Sequence, residues 1–270
     1  PELAAAPVIS DTIAEDAARF GGGLPVAGEP YTGFAVGFSS LRINNEETYD
    51  FLTDVFGELA TLTPGPYVHL GGDECLGTDP DDYSCFITRA SEIVRSTGKT
   101  PIAWHEAGAA SGVDPGTIGQ YWGYVVPEEG ADVRARALVE RGSQLILSPA
   151  DAAYLDMRPT EEYSLGLTWA RGATSLADAY GWDPAVIIEG VGDAEILGVE
   201  APLWTETAAT LADIQALAYP RIAAIAEIAW SPREHSERQW ESFRTRVAGL
   251  APAWDASGIP FWRSPEVDWR

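Results

Sequence analysis

The sequence predicts an α/β fold of the (β/α)8 TIM-barrel type, and three observations predict it. Apolar, β-branched runs alternate with helical stretches at the spacing of strand–helix–strand units, which argues for a parallel sheet with right-handed crossovers. The apolar runs lack clean alternation, as expected of strands covered on both faces. An aromatic or acidic residue marks the end of nearly every strand, the end at which such barrels carry their chemistry. A doubly wound nucleotide fold would need a glycine fingerprint opening a helix, and neither GxGxxG nor a P-loop occurs.

Residues 1–33 are rich in Ala, Gly and Pro and read as an irregular leader. From Asn45, the residues Phe51, Leu52, Val55, Phe56 and Leu59 fall at helical spacing, with Asn44 or Asn45 as cap and acids in the first turn. Pro64-Gly65-Pro66 breaks the chain before Tyr67-Val68-His69-Leu70, a short run that reads as a buried strand. A helix is expected from Asp81 to Thr97, stopped by Gly98, and a strand from Thr100 to Glu106. The next strand covers Thr117 to Gly123. A helix from Asp132 to Arg141 is closed by Gly142, and Gln144 to Pro149 is a further strand. After a long loop region containing Trp182, Ile196 to Glu206 reads as the fifth strand. Ile214 to Trp230 is apolar on most faces and reads as one buried helix, and Glu237 to Leu250 as a second, more amphipathic one.

Composition narrows the function. The 270 residues, 46% hydrophobic and 21% charged, suit one large globular domain spanning 1–270. A net charge of −24 argues against nucleic acid or an anionic membrane as partner. No apolar stretch approaches the roughly 18–20 residues that span a bilayer. Met157 is the only methionine, so Pro1 does not read as a translation start and residues are expected upstream of it. Cys75 and Cys85 flank a short acidic loop. They are too few for a zinc site without nearby histidines, and fit either a disulfide of an exported enzyme or two free thiols. No metal or cofactor is expected.

The chemistry centres on His69-Leu70-Gly71-Gly72-Asp73-Glu74. Two glycines allow a sharp turn or close approach of a ligand, and two adjacent carboxylates follow at the strand's carboxyl end. Taken alone, the stretch also fits a helix start with Asp73 or Glu74 as cap. Later strand ends add Trp104 and Trp122, then Tyr154 and Asp156 after the fourth strand, then Trp204 and Glu206. Each has a packing alternative, yet on one rim they would make an apolar-walled pocket with a few directional acceptors, as carbohydrate sites do. Adjacent acids are poorly placed to flank a glycosidic bond from both sides, which calls for separations of about 5–9.5 Å across it. One can donate the proton; the other must do something different, such as orienting a nucleophile that belongs to the substrate.

His69 to Glu74 resembles the His-x-Gly-Gly-Asp-Glu signature of the glycoside hydrolase family 20 β-N-acetylhexosaminidases. The likeness continues through Trp104-His105, Gln120 to Gly123, Ser148 to Asp151, Tyr154 to Asp156, Ala201 to Glu206, and Tyr219-Pro220-Arg221 to Pro232, in order. The resemblance implies a retaining exo-hydrolase of terminal β-linked N-acetylglucosamine or N-acetylgalactosamine that works by substrate-assisted catalysis through an oxazolinium ion. Glu74 would be the general acid/base, Asp73 would orient the 2-acetamido group, and Tyr154 would hydrogen-bond its carbonyl oxygen. Trp104, Trp122 and Trp204 would wall the acetamide pocket; Asp156 and Glu206 would bind sugar hydroxyls, with His69 among the substrate-binding residues. In this family the signature ends the fourth barrel strand, so the resemblance implies that the chain carries about strands 4 to 8. The earlier strands and any small preceding domain would be absent, which leads us to expect self-association or association with an amino-terminal fragment. It also leaves a disaccharide-releasing sister activity, or a non-catalytic sugar-binding fragment, as alternatives. The expected partner is an N-acetylhexosamine-terminated glycan, and the expected location is extracellular.

Overall fold

The computed structural model of the protein describes residues 41–269, and the 1–33 leader lies outside them. They divide into two units: one runs to Gln120 and takes in Val133–Gln144, the other comprises Tyr121–Asp132 and the chain from Leu145 onward.

The first unit opens with helix α1 (Glu46–Leu62), which starts where an Asn45 side chain accepts from the Glu47 N–H at 3.2 Å, with Glu46 and Glu47 against the positive helix end. Strand β1 (Tyr67–His69) pairs in parallel with β2 (Thr100–Trp104), His69 opposite Ile102. β2 pairs in parallel with β3 (Ile118–Tyr121), Trp104 opposite Gln120. Between β1 and β2 lies α2 (Pro80–Ser96), capped by Asp79, begun by Pro80 and stopped at Gly98, whose φ of 82° suits a residue without Cβ. Tyr49, Leu52 and Phe56 of α1 pack with Val68 of β1 and Ala90 and Val94 of α2 in one apolar cluster. Most of α3 (Ala131–Glu140) completes the unit. Two expectations change here. β1 buries only Val68, Tyr67 and His69 being exposed, and β2 turns at His105 into a 3-10 helix (His105–Ala109) instead of continuing to Glu106.

In the second unit β4 (Leu145–Leu147) and β5 (Ile196–Val199) pair in parallel. Helices α4 (Ala150–Ala153) and α5 (Leu176–Tyr180) occupy part of the stretch expected as loop. The single helix expected over Ile214–Trp230 is two, α6 (Leu211–Ala218) and α7 (Arg221–Trp230). The break falls at Pro220, which lacks the N–H an unbroken helix would need. Nor is the pair buried all round: Leu211, Ile222 and Trp230 are exposed. α8 (Trp240–Ala248) and α9 (Ala251–Ala256) follow, and the chain after α9 folds back, so that Trp254 has the rings of Tyr219, Phe261 and Trp269 at 5.2, 5.0 and 6.4 Å. Among the described residues no helix is long and apolar enough to cross a membrane.

Cys75 and Cys85 are free thiols, so the disulfide reading is not met. Cys75 Sγ donates to the Asp73 carbonyl at 3.3 Å. Cys85 sits in the second turn of α2, on the side that interacts with Tyr49 of α1. The two sulfurs therefore have different neighbours, and the pair lends no support to an extracellular location.

Removing the Trp254 ring leaves a cavity among aromatic rings. Trp254→Ala is expected to cost about 3–5 kcal/mol in urea unfolding. A loss under about 1 kcal/mol would show that the returning segment contributes little packing energy.

Candidate active site

In the first unit, β1 delivers the acids through a backbone that stays paired beyond the strand. Leu70 N–H donates to Ile102 O at 2.8 Å, and Trp104 N–H to Gly71 O at 3.0 Å. The chain then turns through left-handed conformations at Gly71 (φ 83°), Gly72 (φ 98°) and Glu74 (φ 48°). The first two are glycines for that reason. A Cβ at Gly72 would also lie 2.8 Å from Ile87 Cδ1 and 3.2 Å from the Tyr83 hydroxyl. The Tyr83 hydroxyl donates to Gly72 O at 2.7 Å and fixes the turn from α2. Glu74 is not a glycine, and its conformation costs on the order of 1–2 kcal/mol. Strain of that kind concentrates where a side chain must point in one direction for function.

Burial raises the carboxyl pKa of Glu74, and the neighbouring Asp73 charge raises it further. Desolvation raises Asp73 as well, although one face of the residue remains open to solvent. His69 Nδ1 accepts from the Gly71 N–H at 3.0 Å, which places the ring proton on Nε2. The His69 ring lies 4.7 Å from the Trp104 ring. His69 keeps exposed surface, yet the atoms crowding its imidazole push the pKa down to about 4 against a hydrogen bond with Gln120, so the ring is neutral at pH 7. Trp104 closes β2 and is 7% exposed. His69 and Trp104 thus meet at the strand end from which the turn to Asp73 and Glu74 departs.

The second unit assembles the remaining candidates. The Trp122 turn after β3 is held by Tyr121 Oη donating to Tyr124 O at 2.7 Å and by Val125 N–H donating to Asp151 Oδ1 at 2.8 Å. Tyr154 caps α4, after the fourth strand as expected, and it is buried. Its ring lies 6.3 Å from Trp204. Trp169, which the sequence reading passed over, joins Tyr154 at 5.7 Å and Trp122 at 6.2 Å in edge-on contacts. Trp204 and Trp169 remain 44% and 45% exposed, so this aromatic group presents open ring surface instead of closing on itself.

Asp156 is 1% exposed, and neither of its carboxylate oxygens has a hydrogen-bond partner. The N–H groups of Asp156 and Trp204 lie near enough to favour the anion without making a bond of ordinary geometry. Burial, with a smaller push from Glu206, raises its pKa to about 6, and the Arg221 charge opposes the rise. Glu206 itself is exposed. Arg221 and Tyr83 are further residues to which the sequence reading gave no role. Among the described residues, no group of three His, Cys, Asp or Glu side chains could hold a metal ion.

Comparison with known proteins fits this chemistry. Residues 27–83 and 76–233 match the model for glycosyl hydrolase family 20, catalytic domain. The chain is 42% identical to a β-N-acetylhexosaminidase of Cellulomonas fimi over 256 residues, which is 92% of this chain and 49% of that protein. It superposes with TM-score 0.87 and 55% identity on a glycoside hydrolase family 20 β-N-acetylglucosaminidase, covering 98% of this chain and 55% of the other. A mutant Streptomyces plicatus β-hexosaminidase in complex with product GlcNAc aligns with TM-score 0.85 and 44% identity, over 91% of this chain and 48% of that one. The chain thus spans about half the length of these relatives.

A methyl group at Gly72 would meet both a left-handed backbone and two side chains of α2. Gly72→Ala is expected to destabilise the protein by about 2 kcal/mol or more, read by denaturant unfolding. A neutral result would mean that α2 gives way at no cost.

Proposed function

Because the chain belongs to glycosyl hydrolase family 20, we propose that the protein carrying it removes terminal β-linked N-acetylglucosamine or N-acetylgalactosamine from glycans with retention of configuration. The observation that carries this reading is the pair Asp73–Glu74. Two adjacent carboxylates follow a paired strand through a glycine turn, and Glu74 is held in a left-handed conformation with a raised pKa.

In the proposed reaction, Glu74 protonates the leaving oxygen, a task that a raised pKa favours. The substrate's own acetamide oxygen attacks the anomeric carbon, because a tethered nucleophile gains the advantage of proximity. Asp73 orients the acetamide and stabilises the positive charge of the oxazolinium ion, and Tyr154 donates to the acetamide oxygen. Glu74, now a carboxylate, then draws a proton from water as it opens the oxazolinium ring. Trp104, Trp122 and Trp204 are assigned to the acetamide pocket, with Asp156, Glu206 and His69 on the rest of the sugar. The five strands are assigned to the fourth to eighth of an eight-stranded barrel, a reading supported by their parallel pairing and by the share of the relatives that the chain covers.

In the full-length protein, Glu74→Gln is expected to lower kcat on a β-N-acetylglucosaminide by about a hundredfold or more, the usual worth of a general acid. Near-wild-type turnover would end the assignment.

Asp73→Asn tests the division of labour by pH. A carboxylic acid catalyst is active while protonated, so activity falls as pH rises through the Glu74 pKa. Removing the neighbouring charge lowers that pKa, so the alkaline limb of the kcat profile should move to lower pH while kcat falls. An unmoved limb would show that Asp73 does not act on Glu74. Equal turnover of the matching glucoside without the acetamido group would exclude the substrate's own nucleophile.

A further inference from the structure

Arg221 opens α7, is 1% exposed, and is the bulkiest of the fully buried described side chains. A buried guanidinium is costly unless its donors and its charge are both answered. Its donors go to main-chain carbonyls: Nη2 to Leu155 O at 2.7 Å and Leu217 O at 2.8 Å, Nη1 to Thr174 O at 3.3 Å. Its charge is answered by Asp156. The two residues attract each other without a hydrogen bond between them, since both Asp156 oxygens lack a partner.

That arrangement is unusual for a buried cation and anion. A direct bidentate pair would have filled the Asp156 lone pairs. Here Arg221 grips the carbonyl between Tyr154 and Asp156, holding the segment that carries both side chains. Empty lone pairs on a buried carboxylate are destabilising until donors arrive.

We propose that Arg221 is a positioning residue of this site: it clamps the Tyr154–Asp156 segment through the Leu155 carbonyl and lends Asp156 its charge while leaving both oxygens for hydroxyl donors of the sugar. The proposal deepens the functional reading above and rests on it for the identity of the donor. Specificity follows from the same geometry. A site built to accept from a hydroxyl rejects an analogue lacking it, because its buried acceptor then stays unpaired.

The test uses the full-length protein, a p-nitrophenyl β-N-acetylglucosaminide and its singly deoxygenated ring analogues. Asp156→Asn identifies the hydroxyl concerned, as the analogue on which the substitution costs least. Arg221→Lys is then expected to lower kcat/KM on the parent glycoside by about tenfold or more, mainly through KM, with a much smaller loss on that analogue. In the double variant the two losses should not multiply. Equal losses on every analogue, or multiplying losses, would overturn the proposal by reducing Arg221 to a general structural role.

A second measurement stands even if no Arg221 variant folds or the wild type proves inactive on this glycoside, a result that would sink the functional reading alone. The Arg221 guanidinium nitrogen resonance should shift with pH as Asp156 titrates, near its raised value of about 6. Glu206 is the other carboxylate acting on Asp156, and Tyr163 the other titrating group acting on Arg221. The shift should therefore persist in Glu206→Gln and in Tyr163→Phe and vanish in Asp156→Asn. A resonance indifferent to pH across that range, or one still shifting in Asp156→Asn, would overturn the link.

Discussion

Much of the candidate chemistry depends on hydrogen bonds continuing past the end of a three-residue strand. β1 is too short to orient anything by itself, but its pairing with β2 continues to the Gly71 carbonyl. The glycines that follow turn the chain in conformations closed to most side chains. The carboxylates of Asp73 and Glu74 are thus placed by main-chain geometry, which tolerates little drift. Tyr83 locks the turn from α2, so this cluster draws on the helix between β1 and β2 as much as on the strands.

The two units handle buried charge differently. In the first, desolvation raises the pKa of both acids and the Asp73 charge raises that of Glu74 further, a condition suited to moving protons. In the second, a lone carboxylate is buried with its oxygens unpaired and a cation nearby, a condition suited to accepting hydrogen bonds. Similar side chains serve different ends because their surroundings differ.

What could be read from the sequence was local. The Asn45 cap and the stops at Gly98 and Gly142 depend on neighbours a few residues away, and they stand where the pattern placed them. The strand ends carrying Asp73, Glu74, Trp104 and Trp122 were legible because aromatic or acidic residues closed apolar runs. Pro220 was in plain view, but the apolar residues on both sides concealed that it divides one helix from another. Trp169 and Arg221 gave no such signal. Trp169 lies in a glycine-broken loop, and nothing nearby says which rings it meets. Arg221 looks like any helix-opening arginine until its donors reach Leu155 and Thr174, 66 and 47 residues back. The cysteine pair misled because short sequence spacing says little about which way each sulfur faces.

One contact bears on the order in which the chain acquires its structure. The first turn of α5 is stabilised by Glu266, whose Oε2 accepts from the N–H groups of Leu176 and Ala177 at 3.1 and 3.2 Å. The partners are 90 and 89 residues apart. On a ribosome, α5 emerges well before the residue that completes its amino-terminal hydrogen bonds, and a helix of five residues is not stable alone. The amino-terminal hydrogen bonds of α5 are therefore completed only after residues near 266 have been translated. Until then the cluster in which Leu176 and Ala179 pack with Phe243, Trp254 and Val267 stays incomplete, with apolar surface open to chaperones.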